Sequence, residues 1–407
     1  MKLRQEYTKL FLRFFPLSWL LGLIIPFIYS LLIFNLGHLQ KLLTKKKDSI
    51  IAILVVLLLF QILSVTPSFF YKFFSFERLI AVIHNISAFS FIILGYAIMY
   101  DSTIKTYLSK IIYKLFFITC LWIFIGSMYS LITLESLEIV TIPKLIGIDS
   151  IFVRAKFNSM AWHFTNNFPR SRVLATYPNG TGLILMLFYF LFSYYNFSKS
   201  TKFKLLSHMI FILCVFATGS RLYLVFSFCI AILSFIDNKK KLFYSLIFAL
   251  PFFFIFAVPL IEDLFFKTRF QSNQQRLEIY FDSINLMLKT NPFTGLGIKP
   301  RIPEIVEQHP IGSHSTLLGY YVKCGVFYGT FVLIIYIKLF YEYLKKMFNY
   351  CFGLSLFNSK NFFFSNFFIL IIIASLFEDF DAYELVPFLF GVVLWIYYRE
   401  ILKKSKT

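Results

Sequence analysis

Long apolar runs separated by short polar, mostly basic segments organise this chain from one end to the other. By pattern alone the runs fall at Ser49–Thr66, Leu79–Tyr100, Ile111–Ile132, Asn179–Phe197, Leu205–Gly219, Leu222–Ile236, Leu242–Ile261, Ser315–Ile337, Phe362–Phe377 and Leu385–Tyr398. Each is long enough to cross a ~30 Å hydrocarbon core as a helix, given some tilt or a thinned bilayer. Ahead of them, Phe11 to Leu36 reads either as one tilted helix or as a short hairpin broken between Gly22 and Pro26. Lys2, Arg4, Lys9 and Arg13 precede this region and Lys41 to Lys47 follow it. A single span would place a basic cluster on each side of the membrane, whereas a hairpin keeps both clusters inside. The expectation is therefore an all-α polytopic membrane protein with about twelve transmembrane helices, or eleven if the first region is one helix. Residues 1–407 form one integral membrane domain with no linker and no visible internal repeat.

Composition supports this reading. The chain is 58% hydrophobic and only 15% charged, too little polar surface to cover a soluble globule of 407 residues. A formal net charge of +20 would suggest a nucleic-acid partner in a soluble protein. Here the lysines gather in segments between apolar runs, as at Lys45 to Lys47 and Lys239 to Lys241, which is the pattern of loops retained in the cytoplasm. Nucleic acid is not expected. The N-terminal apolar region is long, interrupted by Pro16 and Pro26, and lacks a small-residue cleavage site, so the N-terminus is expected to stay. Cys120, Cys214, Cys229, Cys324 and Cys351 have no paired spacing and read as small core residues. His38, His84, His163 and His208 lie apart without ligand spacing, so no metal site is expected.

With the basic C-terminus placed in the cytoplasm, two long segments fall outside: 133–178 and 262–313. They carry more cations than the charge bias predicts, among them Arg170 and Arg172 in the first and Arg269, Arg276 and Arg301 in the second. Long loops tolerate such charge, but together these residues suggest an anionic ligand at the outer face. In the second loop, Leu277, Phe281, Ile284 and Leu288 recur at helical spacing and predict an amphipathic helix that lies on the membrane or caps the bundle. Both outer loops are expected to contain short amphipathic helices.

Candidate chemistry gathers on that side. Arg221, in "TGSRLYLVF", stands at a turn between two apolar runs, where an arginine either snorkels to headgroups or holds phosphate through its planar fork of donors. Arg276 opens the amphipathic stretch and suits phosphate binding or a salt bridge with Glu278 or Asp282. "NPFTGLGIKP" at 291–300 reads as a turn, since no strand precedes its glycines as a phosphate-cradling loop requires. His309 and His314 bracket Pro310 and Gly312; His314 would sit near a helix N-terminus capped by Ser313 or Ser315, where the positive helix end favours neutral imidazole, able to accept a proton. Such a histidine also serves as a plain hydrogen-bonding surface group. Glu378, Asp379, Asp381 and Glu384, in "SLFEDFDAYELVP", form either a solvated acidic turn or supply one group that orients a sugar or the histidine.

"TGSRLYLVF", "QQRLEIYFDSINLMLKTNPFTGLG" and "GSHSTLLGYYVKCG", in this order and with "ATYPNGTGLILML" upstream, resemble the O-antigen ligase and Wzy-type O-antigen polymerase superfamily. The resemblance spans roughly Thr176 to Gly325. It implies a GT-C-like multi-helix glycosyltransferase of the bacterial inner membrane, with both termini cytoplasmic and the active site on the periplasmic face. The implied donor is an undecaprenyl-diphosphate-linked oligosaccharide, with no cofactor and no metal. Carried over, Arg221 and Arg276 would hold the diphosphate and His314 would activate the acceptor; Ser315 follows this histidine where Asn is common. Arg172, Arg170, Arg269, Arg301, His309, Glu378 and Asp379 complete the candidate substrate-binding set. The expected reaction is O-antigen or capsule polymerisation; transfer to lipid A core by a ligase is the alternative, and a glycolipid flippase the reading from another class. A chain-length regulator and a flippase would be partners of a polymerase.

Overall fold

The computed structural model describes residues 2–20, 24–44, 48–70, 76–135, 137–139, 160–165, 168–171, 173, 178–234, 270–299, 315–351, 359–380 and 385–402. Over these the protein is largely helical. In chain order the helices are α1 (Lys2–Leu20), α2 (Ile24–Thr44), α3 (Ser49–Val65, extended by a 3-10 turn, Thr66–Phe70), α4 (Phe76–Ile98) and α5 (Ser102–Thr133). After three short strands come α6 (Pro178–Tyr195), α7 (Thr201–Ala217), α8 (Arg221–Ser234), α9 (Phe270–Thr290), α10 (Thr316–Cys351), α11 (Ser359–Phe377) and α12 (Leu385–Trp395), which runs on as a π-helical turn, Ile396–Leu402. The region read as a tilted helix or a hairpin is two helices, α1 and α2, packed against each other.

Among the described residues, five segments are long and apolar enough to cross a membrane: Ser49–Phe70, Ser102–Thr133, Thr316–Asn349, Ser359–Phe377 and Leu385–Leu402. The protein is a multi-pass membrane protein. Exposed side chains such as Leu63, Phe124, Leu213 and Phe327, each at least 60% accessible, are tolerable only against lipid. α10 is interrupted at Gly325, and its longer arm, residues 326–351, is about 39 Å long at about 1.5 Å per residue, beyond a ~30 Å bilayer core. Lys345 and Lys346 lie on its far extension. The expected span Leu242–Ile261 lies outside the described residues.

The chain divides into two compact units, Met1–Leu58, His84–Ala231 and Phe380–Thr407 in one, Leu59–Ile83 and Ile232–Asp379 in the other. In the first, α6 is the central element. Every residue from Gly180 to Ser193 is buried, as fits a helix apolar all round, and it packs on α5, α7 and α12. Pro178 suits its first turn because the missing N–H would be unpaired there anyway. At one end of this unit a polar network joins distant segments. Asp101 caps α5 through the Thr103 and Ile104 N–H groups and also accepts from the Arg4 guanidinium and, at 2.9 Å, the Gln5 amide. Asp48 caps α3 and pairs with Arg399 and the Tyr100 hydroxyl, while Lys105 pairs with Glu400. These pairs bring Arg4 of the first helix and the last helical turn to the same end of the unit.

The described residues of the segment 133–178 include a small antiparallel sheet that was not expected, β1 (Glu138–Ile139), β2 (Met160–Thr165) and β3 (Phe168–Ser171), in the order β1-β2-β3; residues 140–159, where a short amphipathic helix would have room, lie outside the described residues. The register pairs Trp162 with Ser171, His163 with Arg170 and Phe164 with Pro169. The aromatic positions Trp162 and Phe164 are two apart, the period of a strand, and the short segments could not bury a helical stripe.

Candidate functional site

In the first unit, the candidate residues meet at the turn between α7 and α8. The turn is built locally: Thr218 N–H and its hydroxyl both donate to the Val215 carbonyl, Gly219 N–H donates to Phe216 O, and Ser220 N–H donates to the Thr218 hydroxyl. Gly219 adopts φ +62°, and a Cβ there would stand 2.7 Å from Arg170 Nε. Both facts require glycine. Arg170, from β3, donates through Nε to Thr218 O at 3.1 Å and through Nη2 to Gly219 O at 3.4 Å. A guanidinium fork thus satisfies carbonyls left open at the end of a helix, and its charge complements the negative helix end. Arg221 is the first residue of α8, two positions beyond Gly219, and is half-buried. Arg170 and Arg221 therefore belong to one corner. Thr181 of α6 donates to Val173 O at 3.0 Å, fixing the chain just beyond β3 to the central helix. Arg172 lies outside the described residues.

In the second unit, the site is organised around a break in α10. Gly325 has φ 81° and ψ 179° within an otherwise helical run. The carbonyls of Val322 and Lys323, which a continuous helix would use internally, instead accept N–H bonds from Leu296 and Gly297, both at 2.8 Å. Val326 N–H in turn donates to Pro292 O at 2.8 Å. The segment 291–298 is thus the expected turn, closed by Asn291 and Thr294, but it is also plugged into the broken helix. Met287, Leu296 and Val322 form the apolar core beneath it, flanked by Leu286 and Leu318. Each buried side chain of this size contributes about 1.5–3 kcal/mol. The plug fixes the end of α9 against α10.

The same unit gathers the start of α10 and the acidic turn. Ser315 Oγ accepts the Leu318 N–H at 3.2 Å, so Ser315 is the cap. Thr316 donates both its N–H, at 3.2 Å, and its hydroxyl, at 2.6 Å, to the Glu378 carbonyl. Lys299, just past the plug, pairs with Asp379 at 2.7 Å, with both side chains about nine-tenths buried. Glu378 and Asp379 are buried, not solvated, and the Asp379 carboxylate is engaged by lysine; Asp381 and Glu384 lie outside the described residues. Sequence reasoning missed this pair and the docking of the turn into α10; the only signal was the succession of Gly295, Gly297 and Gly325. Arg276 lies in α9 by its backbone, with its side chain outside the described set; His314, Arg269, Arg301 and His309 lie outside the described residues.

Residues 206–337 match the model of a family described as O-antigen ligase. Over this segment the chain is O-antigen-ligase-like. The match covers about a third of the chain and includes Arg221, Arg276, the plug, Gly325 and the position of His314, so the resemblance read from the motifs holds there. Arg170, Glu378 and Asp379 lie outside the O-antigen-ligase-like segment, and the first of these contacts it directly through Thr218 and Gly219. No curated protein matches the chain.

Proposed function

We propose that this protein is a membrane glycosyltransferase that moves a glycan from polyprenyl diphosphate to a hydroxyl of another lipid-linked repeat unit, as an O-antigen or capsule polymerase. The observation that carries the proposal is the O-antigen-ligase match over residues 206–337, which holds Arg221, Arg276 and His314 in one ordered segment. A GT-C-like bundle of about twelve spans in the bacterial inner membrane, with both termini cytoplasmic, is part of the same reading. The ion pairs that bring Arg4 and Glu400 to one end of their unit support termini on a common face.

In the proposed reaction the acceptor oxygen forms a bond to the anomeric carbon while the bond from that carbon to the diphosphate oxygen breaks. The electron pair leaves on the diphosphate and the hydroxyl proton passes to the His314 imidazole. Attack opposite the leaving group inverts the anomeric centre. The guanidiniums of Arg221 and Arg276 neutralise charge growing on the leaving group, an effect strongest where water is scarce. Arg170, which braces the turn before Arg221, positions that residue. Arg172, Arg269, Arg301, His309 and Glu378 are proposed to line the path of the glycan and the diphosphate. A chain-length regulator and a flippase are the proposed partners.

The matching family, described as O-antigen ligase, favours a second reading, in which the acceptor is lipid A core and the enzyme is a ligase. One experiment separates them: purified protein in liposomes with its lipid-linked repeat unit, with and without lipid A core. A ladder without core supports the polymerase. A single transfer product that needs core supports the ligase, and absence of both products refutes glycosyl transfer.

A further inference from the structure

The exposure pattern along α9 divides the helix into three faces. Ile279, Ser283 and Met287 are buried against the protein. Glu278, Asn285 and Lys289 are exposed on a polar arc. Leu277, Phe281, Ile284 and Leu288 are also exposed, at 55%, 66%, 38% and 50%. At about 100° per residue the three sets fall on separate, contiguous arcs. A helix between protein and water needs two faces. The third, apolar and outward, calls for another solvent.

The apolar arc continues onto a surface that already faces lipid. Immediately beyond α9, Phe293 stacks on Phe327 of α10, with ring centroids 5.6 Å apart and 22° between planes. Phe327, 70% exposed, begins an outward apolar row that includes Phe331 and Ile334 on a membrane-crossing segment. We infer that α9 lies in the membrane–water boundary, with Leu277, Phe281, Ile284 and Leu288 immersed among phospholipid acyl chains, its polar arc in water and its third face on α10. The occupant is lipid, not a second copy. Four side chains on a strip about one residue wide, bordered by charge, are far short of the roughly 800 Å² per partner that a stable interface buries.

This placement brings the backbone of Arg276, one residue before Leu277, to headgroup depth. Positions 276, 279, 283 and 287 share one helical register, the protein-facing one. A lipid-linked diphosphate travelling in the bilayer would reach that depth by lateral diffusion. This last consequence rests on the proposed function; the position of α9 does not.

The test is photo-crosslinking of the full chain in phosphatidylethanolamine and phosphatidylglycerol liposomes, with p-benzoylphenylalanine placed singly at Phe281, Ile284 or Asn285. Intact-protein mass is expected to show a phospholipid adduct from 281 and 284, at least tenfold above that from 285. Equal labelling at all three positions, or no lipid adduct at 281 and 284, would overturn the placement. A dimer-sized product from 281 without lipid adduct would assign the stripe to a second copy instead. Since the readout needs no turnover, failure of the glycosyltransferase assignment leaves it interpretable.

Discussion

Gly325 and Gly295 face each other backbone to backbone: a Cβ on Gly325 would stand 2.7 Å from the Gly295 nitrogen, and one on Gly295 2.6 Å from the Lys323 carbonyl. Both have positive φ, so each is fixed as glycine twice over, by conformation and by space. Gly325→Ala is expected to expel the plug and destabilise the protein by about 2 kcal/mol or more. Thermal unfolding in detergent reads the loss. Gly37→Ala is the control: it is helical with nothing within 4 Å of the added methyl, and the same change should stabilise by up to about 1 kcal/mol. Equal behaviour of the two variants would mean that the break in α10 does not depend on Gly325.

Arg170 and the turn before Arg221 make a second separable case. Arg170→Ala removes two hydrogen bonds from a charged donor to the Thr218 and Gly219 carbonyls. A loss of about 1.5–3 kcal/mol is expected, with a fall in kcat because Arg221 is no longer held. Arg170→Lys restores charge but not the two-pronged geometry, so stability should recover only in part. Full recovery by lysine would reduce the role of Arg170 to a point charge at the helix end.

How far these sites could be read from the sequence depended on the range of the interaction. Long apolar helices were legible because apolar runs must match a bilayer, and five of the expected spans recur among the described residues as segments long and apolar enough to cross; that the first region is two helices was one of the two alternatives its charges and prolines left open. The cap at Ser315 was legible for the same reason, being a contact three residues long. By contrast, Lys299 and Asp379 are 80 residues apart, and nothing local to either announces the other. The glycines of 295–325 signalled unusual backbone, but only the fold shows that one loop fills the gap in another element. The strands within the segment 133–178 were missed because runs as short as Phe168–Ser171 carry too little period to separate strand from helix.

The Asp101 network gives a pH dependence with a definite sign. Burial alone would raise the Asp101 carboxyl, but the Gln5 amide, the Arg4 charge and the Ile104 and Thr103 N–H groups together hold it below the usual carboxylate range. A group lowered on folding stabilises fully above its unfolded value, about 3.9, and the contribution disappears as pH falls through the folded value. Asp101→Asn keeps an N-cap side chain while losing the charge, so it isolates the pairing with Arg4. The variant should melt lower than wild type at pH 7, with the gap closing as pH drops below about 4. A gap that is constant with pH would show that capping, not charge, accounts for Asp101.

The proposed chemistry distinguishes His314 from the arginines by the kinetic constant each should alter. A general base acts only as the acceptor oxygen begins to bond, so His314→Ala should lower kcat by about 10²–10⁴-fold and leave the donor KM nearly unchanged. The diphosphate is already anionic before reaction, so Arg276→Ala and Arg221→Ala remove binding present in both ground and transition states. Those variants should raise the donor KM as well as lower kcat, because charge on the departing oxygen still grows as the bond breaks. Lysine at either position should restore KM more than kcat, since a point charge replaces attraction but not the paired hydrogen bonds. Steady-state turnover of the lipid-linked donor in liposomes measures both constants. If His314→Ala changes KM alone, the imidazole binds donor and takes no proton, and the base must be sought elsewhere in the segment 206–337.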